Sequence, residues 1–132
     1  MPKSKSAYST PSKLGKLETH IIVVWVDNEA SVLSRVVGLF SGRGYNIESL
    51  AVAEVDQKES LSRITIVTTG TPAVIEQIVL QLKKLVPVHK VANFKREDKN
   101  VIFKEMALFK VVGNSTKINK VLNTCKKYNP VI

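Results

Sequence analysis

The spacing of apolar positions changes period several times along the chain, and each change predicts an element. His20-Ile-Ile-Val-Val-Trp-Val-Asp27 is an unbroken β-branched and aromatic run, the pattern of a strand covered on at least one face. A helical period follows: Leu33, Val36, Val37 and Phe40 recur at i, i+3, i+4 and i+7, predicting a helix over residues 30–43 with Asn28 placed to cap it. Gly42 and Gly44 stop that helix, because glycine enters the left-handed region without steric cost. A second strand is expected from Asn46 to Val55, with Leu50 and Val52 on one pleat face and Ala51, Ala53 and Val55 on the other. A strand that is apolar or small on both faces points to pairing or packing against another copy of the chain.

Gln57 to Ser60 is polar and turn-like, and Arg63-Ile-Thr-Ile-Val-Thr68 completes a hairpin with the preceding strand. Thr71-Pro72 starts a second helix over residues 72–85, with threonine as N-cap and proline where no N–H is needed. Its inner stripe is Val74, Ile75, Ile78, Val79 and Leu82. Val86 to Phe94 then reads as a short strand, and Pro87 assigns it to a sheet edge. The order β-α-β-β-α-β predicts a ferredoxin-like α+β sandwich over residues 19–95, with both helices on one face of an antiparallel sheet.

Residues 1–18 are expected to form a disordered basic tail, and the polar run from Lys95 to Asn100 a linker. Glu105 to Val112 predicts a new strand and Lys117 to Lys127 a new amphipathic helix. Residues 96–132 are too few to enclose a core. They are expected to be the start of an incomplete second α+β domain, cut short or completed by another chain.

The net charge of +9 suggests a polyanion partner until its location is considered. Residues 1–18 carry four Lys against one Glu, and residues 87–132 carry ten Lys and Arg against three acids. The well-patterned stretch between them holds six basic and seven acidic groups, so the excess is a solvated periphery. No nucleic-acid partner is expected. An RNA-binding module of the same fold stacks bases on aromatics of its central strands, and Arg63 to Thr68 has none.

One cysteine forms no internal disulfide, and Cys125 falls with Ile118, Val121 and Leu122 on one helix face, as a buried structural thiol would. No stretch approaches the roughly 20 apolar residues that span a bilayer, and the amino terminus lacks the apolar core of a secretory signal. The opening residues are basic and Ser-rich like a transit peptide but contain no Arg. A cytoplasmic chain without membrane contact is expected.

The candidate chemistry is sparse. His20 and His89 are the only histidines, and neither has a partner at metal-ligand spacing, so no metal site and no catalytic residue are assigned. Gly42-Arg-Gly44 lacks the third glycine of a dinucleotide fingerprint and follows a helix instead of a strand. What remains is the loop Asp27-Asn-Glu-Ala-Ser31. Backbone N–H groups at a helix amino terminus hold carboxylates, and the Asn28 amide offers both donor and acceptor; an ordinary helix cap has the same loop.

DNEASVLSRVVGLFSGRGYNIESLAVAEVD (Asp27 to Asp56) and LSRITIVTTG (Leu61 to Gly70) resemble the ACT domain of the acetolactate synthase regulatory subunit family. The similarity continues through VPVHKV and into EMALFKV. It implies a non-catalytic subunit of branched-chain amino-acid biosynthesis that activates a catalytic large subunit and transmits feedback inhibition by valine. In such a family two ACT domains pair, and valine binds at their interface. Asn28 with the backbone around Ser31 and Val32 would meet it from one subunit, Asn46 and Ile47 from the other, with Ala53 as the small residue nearby. Glycine usually stands where this chain has Ser31. The resemblance assigns no cofactor to this chain and places thiamine diphosphate, Mg²⁺ and FAD on the large subunit. The alternatives are a stand-alone amino-acid-responsive ACT protein and a ferredoxin-like RNA-binding module.

Overall fold

The computed structural model describes residues 15–131; residues 1–14, which make up most of the expected basic tail, lie outside the described residues, as does Ile132. The chain divides into two units, parting between Ile102 and Phe103. The first contains β1 (Glu18–Asp27), α1 (Val32–Gly42), β2 (Ser49–Asp56), β3 (Leu61–Gly70), α2 (Pro72–Lys83) and β4 (Val88–Lys95). The strands form one antiparallel sheet in the order β2-β3-β1-β4, the ferredoxin-like arrangement expected from the sequence.

The register explains the core. Ile22 faces Ile66 and Val24 faces Ile64 across β1 and β3, so one sheet face presents a row of branched side chains. Val32, Val36, Leu39 and Phe40 of α1 and Ile75, Ile78 and Leu82 of α2 pack against that row. Full burial of each such side chain contributes roughly 1.5–3 kcal/mol. The α2 stripe is the predicted one, with Val74 and Val79 half-buried at its margins. The α1 stripe is rotated from the expected one: Val32 and Leu39 take core positions while Leu33 and Val37 face outward, 43% and 39% exposed.

The caps follow from local chemistry. Thr71 Oγ1 accepts from the Val74 N–H at 3.4 Å, and Pro72 holds the first helical position, as the sequence predicts. At the end of α1, Gly44 takes φ +69° and the Tyr45 N–H returns to the Phe40 carbonyl at 2.9 Å. The start of α1 differs from expectation. Ser31, not Asn28, holds the N-cap position, at φ +74° and with no capping bond from its side chain. Residues 29 and 30 are spent on the turn that reaches it, which moves the helix start from 30 to Val32.

The edges of the sheet matter most for function. β4 is an edge strand, as Pro87 implied, and starts at Val88 because the backbone turns through Lys84 and Leu85, leaving Val86 94% exposed. β2 is the opposite edge. Leu50 is half-buried there and the other residues of the strand are exposed, Val52 at 46%.

In the second unit, α3 (Ser115–Cys125) is capped by Asn114 Oδ1, which accepts from the Lys117 N–H at 3.0 Å, and a short 3₁₀ turn, Lys126–Tyr128, follows it. Two expectations fail here. Glu105–Val112 is not a strand: it has no strand beside it, and β-propensity without a pairing partner leaves Met106, Leu108, Phe109 and Val112 in solvent. Cys125 is half-exposed instead of buried, because no residue of α3 is buried in this unit.

Candidate functional site

The loop from β1 to α1 is fixed at its root by backbone bonds. The Asp27 N–H donates to the Pro87 carbonyl at 2.9 Å and the Asn28 N–H to the Ser60 carbonyl at 2.6 Å, tying the loop to the start of β4 and to the β2–β3 turn. The Asp27 carboxylate pairs with the His89 imidazole, both at the surface. Asn28 is exposed, and its Nδ2 donates to Glu54 Oε1 at 3.1 Å. The Ser31 hydroxyl caps nothing, and the Ser31 carbonyl accepts from the Arg35 N–H at 3.0 Å. The Val32 side chain is in the core, so what it offers a ligand is its backbone, whose N–H reaches the Glu29 carbonyl only at 3.5 Å. A first-turn N–H so weakly bonded is a donor that a carboxylate can take.

Asn46 and Ile47 lie at the other end of the sheet. Asn46 is exposed and its carbonyl accepts from the buried Thr68 hydroxyl at 2.6 Å. Ile47 is half-buried against the core. Ser60, in the turn just before β3 and bonded to Asn28, and Thr68, in β3 and bonded to Asn46, are eight residues apart, roughly 25 Å at about 3.3 Å per residue. One chain therefore does not bring Asn28, Ser31 and Val32 together with Asn46 and Ile47. Ala53 lies at the Asn28 end of β2, opposite Arg63 on the sheet face away from the helices, whereas Glu54 lies opposite Ser62 on the helix face. Glu54 was not singled out from the sequence, since nothing local joins residues 26 positions apart.

Elsewhere the polar groups pair among themselves. The buried His20 imidazole contacts Asn93 Oδ1 at 2.8 Å and Glu18 Oε2 at 3.2 Å, and Lys95 Nζ lies 3.0 Å from Glu18 Oε1. The Lys95 hydrogen bond, followed by that from His20, holds the Glu18 carboxyl below its ordinary value of 4.5. On the sheet face away from the helices, Lys90 Nζ sits 5.1 Å from the centre of the Trp25 ring. Among the described residues no three His, Cys, Asp or Glu side chains are grouped to hold a metal ion, and no helix is long and apolar enough to cross a membrane.

The chain is similar to known proteins. The chain is 43% identical over 105 residues to the acetolactate synthase small subunit of Mycobacterium avium, covering 80% of this chain and 61% of that one. It is 57% identical over 72 residues to the isozyme 3 small subunit of Escherichia coli, covering 54% and 44%. The crystal structure of the acetolactate synthase small subunit from Thermotoga maritima superposes with a TM-score of 0.52 at 40% identity, over 57% of this chain and 46% of that one. The chain thus spans less than two thirds of the length of these relatives. A family model described as the AHAS small subunit-like ACT domain matches residues 22–90, more than half of the sequence and nearly the whole sheet-and-helix unit. This chain therefore belongs to the AHAS small subunit-like ACT domain family.

Proposed function

We propose that this chain is a non-catalytic regulatory subunit of acetolactate synthase, which activates a catalytic large subunit and carries a valine site shared between two copies of its ACT domain. The observation that carries the reading is the placement of the two half-sites at opposite ends of one exposed edge strand. An antiparallel two-fold pairing of β2 with its copy brings the Asn46 end of one chain to the Asn28 end of the other. Such a pairing completes two equivalent sites, each with Asn28, Ser31 and the Val32 backbone on one side and Asn46 and Ile47 on the other. It also covers Leu33, Val37 and Val52, which a single chain leaves outside.

A free amino acid suits this site. Its carboxylate takes the helix amino terminus and the Asn28 amide, and a short branched side chain fits between small and aliphatic groups. Thiamine diphosphate, Mg²⁺ and FAD belong to the large subunit in this reading, and this chain contributes an allosteric coupling of about 1–3 kcal/mol. The names of the relatives support the partner and the pathway.

The test is reconstitution with a purified large subunit. Acetolactate formation should rise several-fold on adding this chain and fall back with valine, and this chain alone should form none. No stimulation, or stimulation indifferent to valine with no valine binding by calorimetry, would refute the reading.

A further inference from the structure

We propose that the Glu54 carboxylate is a built-in competitor for the effector carboxylate at Asn28, and so sets the concentration at which the site responds. The inference rests on the valine reading above and adds to it a residue on the edge strand. Asn28 Nδ2 donates to Glu54 Oε1 at 3.1 Å. That is the contact which the amide would make to an amino-acid carboxylate: one amide N–H to one ionised oxygen. The donor on which the loop depends to orient an anion is already satisfied by an anion of the protein.

The contact is held in register by backbone on both sides. Asn28 is fixed to Ser60, at the β2–β3 turn, by its own N–H. Glu54 lies in the last stretch of β2, opposite Ser62, where the ladder slips between Glu54 and Asp56. By strand alternation Glu54, like Leu50 and Val52, lies on the helix side of the sheet, while Ala53 lies on the other.

Both partners are exposed, so the contact exchanges with water and is weak. A weak latch suits a response set by competition. An effector that binds only when Asn28 is released has its apparent affinity reduced by the fraction of time the latch is open. A latch closed about four-fifths of the time weakens binding about fivefold. The ionised side chain adds repulsion of the incoming carboxylate, which salt screens.

Calorimetric titration of the full chain with valine, at fixed ionic strength and with the dimer verified by sedimentation, tests this. Glu54→Ala should tighten valine about fivefold, and Glu54→Gln, which keeps an acceptor but not the charge, should tighten it less. In an Asn28→Ala background the Glu54→Ala gain should shrink to the small part due to lost charge repulsion, the same as for Glu54→Gln, since no latch is left to release. Unchanged or weaker binding in Glu54→Ala overturns the proposal while leaving the valine site standing. An equal gain with and without Asn28 also overturns it, by showing a general charge effect instead of competition. If Glu54→Ala fails to dimerise, Glu54→Gln decides on the same criterion. Valine binding by Glu54→Ala but not by wild type supports the latch in its strongest form, and binding by neither refutes the valine reading and the latch together.

Discussion

The Thr68 hydroxyl donates a 2.6 Å hydrogen bond to the Asn46 carbonyl, joining the middle of the sheet to the segment that leaves α1 for β2. Thr68 is 1% exposed and faces the helices, so its hydroxyl has no water to fall back on. The bond fixes where Asn46 and Ile47 stand, and with them one half of the proposed effector site. Thr68→Val keeps the shape and removes the donor. The expected result is a loss of about 1 kcal/mol in stability, seen as a melting temperature lower by about 4–8 °C. Valine binding by calorimetry should weaken as well, because the second half-site loses its anchor. Unchanged valine affinity would show that Asn46 is positioned by other contacts.

Ser31 sits at φ +74°, where a side chain crowds the backbone and glycine does not. The resemblance that places glycine here thus has a backbone reason besides any ligand. Ser31→Gly relieves roughly 1 kcal/mol of strain and gives back part of it in unfolded-state entropy. A net gain of about 0.5 kcal/mol is expected, as a higher urea midpoint at constant slope. Valine should also bind more tightly, since removing Cβ clears the approach to the first-turn N–H groups. Weaker valine binding by Ser31→Gly would instead identify the hydroxyl as a ligand to the effector.

Much of the fold is legible in the sequence because the apolar period switches cleanly between strand and helix. The hairpin around Gln57 to Ser60 and the Thr71-Pro72 start of α2 are local signals, and both appear where expected. The start of α1 is not legible, because asparagine is favoured both as a cap and in a turn, and only the backbone path distinguishes them. The segment Glu105–Val112 has strand composition but no neighbouring strand, and composition reports nothing about partners. For the site, resemblance supplies Asn28 and Asn46, but their separation along β3 is a property of topology. Glu54 is invisible for the same reason: its hydrogen bond depends on the β2 register.

Acid should weaken the domain at a definable place. Glu18 is held below its ordinary value of 4.5 by the Lys95 hydrogen bond and, after it, by His20. A carboxyl whose folded value is depressed stabilises the fold fully above its unfolded value, and that contribution disappears as pH falls through the lower folded value. Urea midpoints of wild type and Glu18→Gln, measured from pH 7 to pH 3, should therefore differ by a constant amount well above the ordinary value of 4.5 and draw together as pH falls below it. Lys95→Met should remove much of the difference at neutral pH. A gap that widens on acidification would show that the cluster acts in the opposite sense.

The exposed edge makes the most direct prediction. β2 is an edge strand, and Val52 at its centre is 46% exposed; Leu33 and Val37 of α1 are also uncovered. An edge that is apolar and uncharged at its middle invites pairing. In a two-fold interface the residue near the axis meets its own copy, so a charge placed there repels itself. Val52→Glu should leave the monomer folded, because the position is already half in water, and should abolish the dimer at micromolar concentration by sedimentation. Valine binding should disappear with the dimer, although neither Asn28 nor Asn46 is changed, because each half-site loses the chain that completes it. Far-ultraviolet circular dichroism matching wild type would show that the loss is one of assembly. If monomeric Val52→Glu still binds valine with wild-type affinity, the effector site lies within one chain and the shared-site reading is wrong.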